Sequence, residues 1–170
     1  MRKITSHTPA ADDAIAIPAI GEGKRGEAGY LGYLLRQAHA ASRLTMERTL
    51  ADLGVTPPQF MVLTMLSAYP GLSGADLARL ALLTPQTVSV IVANLEKRGA
   101  IARRPHAVHG RIQQIEMSDE GRALLARCRE RVRRLDAQLR DGLTDDEERA
   151  IRRWLVRVAQ EHGDGGGGAA

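Results

Sequence analysis

The chain has a single cysteine, Cys128. A lone thiol cannot form an internal disulfide framework and suits a reducing compartment. Aromatic side chains are almost missing: Tyr30, Tyr33, Phe60, Tyr69 and Trp154 make up 3% of 170 residues. Binding of single-stranded nucleic acid through stacked bases needs aromatic platforms, so that class is disfavoured. No run of about 18 apolar residues occurs, and no membrane span is expected. Arg2 and Lys3 resemble the basic start of a secretion signal, but Asp12, Asp13 and Pro18 interrupt any apolar stretch after them, and a cytoplasmic protein is expected. Also missing are a glycine-rich phosphate loop after a strand, a nucleophile elbow and a paired Cys or His ligand set. Neither enzymatic activity nor a cofactor is expected. His106 and His109 lie three apart in a loop, far from the one cysteine, and read as solvated side chains rather than metal ligands.

What is present is helical periodicity. The formal charge is +4, from 24 basic and 20 acidic residues, so the local distribution of charge matters more than the total. Residues 1–28 mix Pro, Gly, Ala and charges without a period and read as a flexible N-terminal arm. Residues 30–53 carry Leu31, Leu34, Leu35, Ala38 and Leu50 at helical spacing, ended by Gly54. Thr56 and Gln59 have capping-box spacing with Pro57 at the first helical position, which starts a second helix. Ser73 with Asp76 starts a third, short one, built on Leu77, Leu80 and Ala81. Ser118 caps a long helix in which Leu125, Cys128, Val132, Leu135 and Leu139 step by heptad a/d spacing, a pattern that favours helix pairing. Thr144 and Glu147 box the start of a last helix containing Ile151, Trp154, Leu155 and Val158. The glycine-rich tail, 163–170, reads as disordered.

Residues 84–111, TPQTVSVIVANLEKRGAIARRPHAVHGR, organise the rest. Thr84 suits an N-cap and Pro85 the first turn. Val88, Ile91, Val92 and Leu95 form one apolar stripe. The opposite face offers Gln86, Thr87, Ser89, Val90 and Asn94, which are small, polar or uncharged. After Gly99, two short strands (101–105 and 112–117) flank a loop at 106–111. From Lys97 to Arg111 there are five Lys or Arg residues and no acid: Lys97, Arg98, Arg103, Arg104 and Arg111. Two short helices joined by a tight turn, then a basic hairpin, make a winged helix-turn-helix. The expected fold is therefore mostly α, a winged helix-turn-helix core at 56–117 whose long flanking helices (30–53 and 118–162) form a dimer lobe.

The segments LGVTPPQFMVLTML, GLSGADLARLALLTPQTVSVIVANLEKRGAIARR and GRIQQIEMSDEGRALL, in that order, resemble the multiple-antibiotic-resistance regulator (MarR) family of winged-helix transcription factors. The resemblance implies a homodimer on double-stranded DNA, and in many members a repressor released by a small aromatic or anionic effector bound between the lobes. It also points to Arg111 as a wing arginine for the minor groove. Two positions depart from the family pattern. His109 stands where relatives carry an acid that braces the wing arginine. A neutral imidazole accepts one hydrogen bond and an imidazolium none, so the bracing of Arg111 must differ here. Val90 stands where many relatives place arginine, and suits a thymine methyl rather than a guanine edge.

The candidate DNA-binding residues are Ser73, Thr84, Pro85, Gln86, Thr87, Ser89, Val90, Asn94, Arg103, Arg104, His109 and Arg111. Gln86 and Asn94 can pair bidentately with adenine, each good pair discriminating by ~1–3 kcal/mol. Lys97 and Arg98 either touch phosphate or only satisfy the negative end of their helix. Tyr33, His39 and Arg43 are effector candidates, and Arg43 can pair with a carboxylate; the same residues also read as ordinary surface. Cys128, at an apolar heptad position, reads as a small hydrophobe rather than a redox sensor. The expected function is a sequence-specific regulator, most simply a repressor. The alternatives are a non-specific architectural DNA binder, disfavoured by the uncharged reading face and the lack of apolar wedges in the wing, and an interaction dimer that has lost DNA binding.

Overall fold

The computed structural model describes residues 17–105 and 113–163. The chain divides into two units, 1–42 and 43–170, with the boundary inside the first long helix. In the first unit a short 3-10 turn spans Gly23–Arg25. The Arg25 guanidinium donates to the Pro18 carbonyl at 2.7 Å and to Gln37 at 3.3 Å, and the Lys24 ammonium lies 5.6 Å from the centre of the Tyr30 ring. These local bonds fall within 17–28, the described part of the expected N-terminal arm; its earlier part lies outside the described residues, as does 164–170.

Helix α1 covers Leu31–Leu50 and tightens into a 3-10 turn at Ala51–Leu53. Gly54, with φ 60°, reverses the chain. Helix α2 (Pro57–Ala68) opens on the anticipated capping box: Thr56 Oγ1 accepts from the Gln59 N–H and Gln59 Oε1 from the Thr56 N–H. Helix α3 (Gly74–Ala81) opens on a second box, Ser73 with Asp76. Helix α4 (Pro85–Lys97) is capped by the Thr84 hydroxyl, which accepts from the Thr87 N–H at 3.1 Å. Strands β1 (Ile101–Pro105) and β2 (Gln113–Met117) pair antiparallel from Ile101↔Met117 to Pro105↔Gln113. The chain before α3 adds a short third edge: Ser73 bridges Gln114, and the Ile115 N–H donates to the Leu72 carbonyl. Helices α5 (Asp119–Arg140) and α6 (Asp145–Gly163) follow. No single helix among the described residues is long and apolar enough to cross a membrane.

The core of the second unit is one cluster. Leu50, Val62, Leu63, Leu77, Val88, Leu95, Leu125 and Cys128 are all fully buried. The heptad series on α5 does two jobs. Leu125 and Cys128 pack into this cluster within the same chain, and Val132 packs against its edge, while Leu139 is 59% exposed. The seam expected to pair with another helix therefore spends its first half on the chain's own winged-helix core.

Candidate nucleic-acid interface

Helices α3 and α4 meet at 112°, within the about 90–120° of a helix-turn-helix pair. The apolar stripe of α4 is inside: Val88, Ile91, Val92 and Leu95 are buried. Pro85, Gln86, Thr87, Ser89, Val90 and Asn94 are exposed. The face anticipated for base reading is therefore the face α4 shows to solvent.

Part of its hydroxyl chemistry is already engaged. Thr84 Oγ1 lies 2.8 Å from Thr87 Oγ1 besides capping the helix, and the Ser89 hydroxyl donates to the Pro85 carbonyl. Gln86, Val90 and Asn94 are the side chains with reach for a base edge. Ser73 is half-buried, its hydroxyl donating to Asp76 at 2.6 Å and accepting the Asp76 N–H. These bonds from Ser73, followed by the Arg79 guanidinium, hold the Asp76 carboxyl below its ordinary range. Ser73 thus sits at a corner, setting the start of α3 and the sheet edge together. Arg103 pairs with Glu96 at 3.4 Å and Arg104 with Glu116 at 2.6 Å, all four well exposed. Such surface pairs are worth about 0–1 kcal/mol each, so a phosphate can displace either carboxylate. His109 and Arg111, like His106, lie outside the described residues.

The effector candidates are distributed over both units. Tyr33 and His39 are on the part of α1 that belongs to the first unit, both at the surface. Arg43 belongs to the second, 3.5 Å from Glu47. It lines an open groove of about 630 Å³ with Glu47, Val55, Pro57 and Pro58, a cationic edge beside apolar walls. Burial pushes the Cys128 thiol up from its ordinary pKa, the opposite of what a reactive sensor thiolate requires. Among the described residues no group of three or more His, Cys, Asp or Glu is placed to hold a metal ion.

Three features escaped the sequence reading. Leu82, in the turn between α3 and α4, has φ 52° and is 82% exposed. Gly121 packs so tightly that a Cβ would overlap the Ala100 carbonyl oxygen. Arg98, assigned to phosphate or to the helix end, instead donates to the carbonyls of Leu53 and Gly54, both at 2.6 Å. Residues 44 and 45 apart in the chain leave no local pattern to find.

A capped helix with its apolar side buried and its short polar side exposed, set at 112° to a preceding helix and followed by a two-stranded wing, defines a winged helix-turn-helix DNA-binding protein. Residues 53–112 match the model of the MarR family. The HTH-type transcriptional repressor Rv2887 of Mycobacterium tuberculosis is 39% identical over 131 residues, covering 77% of this chain and 94% of that protein. A crystal structure of Rv2887 with salicylic acid superposes with a TM-score of 0.62 at 39% identity, covering 78% of this chain and 98% of that one. The transcriptional repressor CouR bound to a 23-mer DNA duplex gives a TM-score of 0.73 at 29% identity, covering 81% and 96%. The chain belongs to the MarR family and is a DNA-binding transcriptional regulator.

Proposed function

We propose that this protein is a ligand-responsive repressor that binds a pseudo-palindromic operator as a homodimer. The observation that carries the reading is α4: an exposed face of Gln86, Val90 and Asn94 backed by a fully packed stripe. Two such helices related by a two-fold axis enter successive major grooves about 34–36 Å apart. Gln86 and Asn94 suit adenine and Val90 a thymine methyl, so the half-site should be A·T-rich where α4 enters. Arg103, Arg104 and, from the sequence, Arg111 supply backbone and minor-groove contact. Salicylate on Rv2887 and the apolar groove beside Arg43 support a small aromatic acid as effector. For the dimer, the support is apolar surface left bare on the last two helices: Leu139 is 59%, Ile151 43%, Leu155 42% and Val156 57% exposed.

The test is competition for the protein among genomic fragments, including the DNA flanking its own gene, by gel shift with and without a panel of aromatic acids. A repressor selects one fragment and releases it to one class of acid. An architectural binder shows little preference, and equal retention of all fragments would sink the proposal. Gln86→Ala should relax the preference at one position of the selected half-site while leaving the salt dependence unchanged, because no phosphate contact is removed.

A further inference from the structure

The C-terminal end of α4 is fastened more heavily than its start. The Ser118 hydroxyl donates to the Gly99 carbonyl at 2.6 Å, and the Ser118 N–H donates to the Ala100 carbonyl at 3.1 Å. Those bonds fix the helix end to the start of α5. The other fastening is Arg98. Its two terminal nitrogens reach the carbonyls of Leu53 and Gly54, the last residue of the 3-10 turn after α1 and the glycine that reverses the chain. The fork lies beside Gly54: a Cβ there would meet the guanidinium at 3.6 Å, ordinary van der Waals contact, so it is the left-handed φ of 60° that calls for glycine. A planar guanidinium with parallel donors matches two adjacent carbonyls, whereas the point charge of an ammonium does not. The same turn receives a second arginine from another direction. Asp52 accepts from Arg131, near the middle of α5, at 2.7 Å. The segment from Asp52 to Gly54 thus takes contacts both from the end of the reading helix and, through an exposed ion pair, from α5.

We propose that Arg98 is a positioning residue for DNA reading: through its fork on Leu53 and Gly54 it sets the pitch of α4, and the Asp52–Arg131 pair makes the same turn a junction through which a displacement of α5 reaches α4. The inference rests on α4 being the reading helix. It assigns Arg98 away from phosphate. Two of its five N–H groups are held by backbone carbonyls, and in this proposal Arg98 acts on affinity by fixing where Gln86, Val90 and Asn94 point rather than by neutralising charge on the duplex.

The experiment uses the full chain, a fluorescent duplex carrying the DNA that flanks its own gene, and anisotropy titrations across a range of salt concentrations. Thermal melts confirm that each variant is folded at the working temperature. Gln86→Ala is the control: its loss of base preference establishes that α4 reads this duplex, so that a silent Arg98 variant counts against the fork and not against the reading. Arg98→Met should weaken binding about tenfold with the slope of log affinity against log salt unchanged. Arg98→Lys should fare no better than methionine. The proposal is overturned if lysine restores full affinity while methionine lowers the salt slope by about 0.9, because that is the signature of a phosphate contact. It is equally overturned if both variants melt earlier yet bind with native affinity while folded. For the junction, Asp52→Asn is combined with Arg98→Met. A shared turn requires the double variant to lose less or more than the product of the single losses. A loss equal to that product removes α5 from the proposal.

Discussion

Leu82 occupies a backbone conformation that glycine adopts freely and leucine does not. Its N–H donates to Arg79 and the Leu83 N–H to Ala78, the paired closure of a Schellman turn. The same closure ends the segment at Gly54 and again at Gly99, where the required left-handed residue is glycine. With 82% of its surface exposed, the Leu82 side chain returns little packing for its strain. Leu82→Gly should therefore raise the unfolding free energy by about 1 kcal/mol, the left-handed cost less part of glycine's entropy, read by urea denaturation. Asp76 supplies a second residue-level outcome. Its folded carboxyl titrates below the ordinary 3.8, so its contribution is complete above that pH and is lost as pH falls through the lower folded value. Stability curves of the wild type and Asp76→Asn should converge as pH drops below 3.8. At this scale the sequence is legible where both partners are neighbours. Thr56, Ser73, Thr84 and Ser118 announce their caps because the acceptor and donor are three residues apart. Leu82 and Arg98 are not legible, since the strain of one and the partners of the other come from tertiary closure.

Among elements, the boundaries that spacing predicts hold because caps and stripes are short-range physics. The heptad on α5 shows the limit of that logic. A 3-4 apolar repeat states that one side of a helix must be covered and leaves open by what. Here α2 and the winged-helix core cover Leu125 and Cys128, and only the far end of the series is left for a partner. What makes this possible is Gly121, in the first turn of α5, where the helix meets the Ala100 backbone without an intervening side chain. Gly121→Ala would have to push α5 from the end of α4. Overpacking of this kind costs about 1–3 kcal/mol, and the cost should appear as a lower midpoint in urea together with weaker operator binding, because the displaced segment carries both Ser118 bonds.

For the whole molecule, the order of elements leads one to expect a dimer lobe, and the exposed apolar residues of α6 are the surface that such a lobe has to cover. Burying them needs a second copy, so stability should depend on protein concentration. Leu155→Glu places a charge among exposed Ile151, Val156 and half-buried Trp154. It should shift the protein toward monomer in sedimentation and reduce operator affinity more than tenfold by separating the two reading helices. A dimer that survives this change would place the interface elsewhere. Tyr33 and His39 show why the effector was not legible to the same degree. A pocket assembled from several elements leaves no fixed spacing in one chain, and Arg43 borders a groove within its own unit.

Cys128 gives the molecule a clock. It is the chain's one thiol, fully buried and raised in pKa by that burial, and it is inert until the core parts. A thiol reagent therefore reports one event, the opening of α5 from the winged helix, without any engineered label. Labelling should be slow in the native protein, accelerate with each core substitution in step with lost stability, and slow further when operator DNA is bound. Rapid labelling of the free native protein would mean that this core opens far more readily than its packing implies.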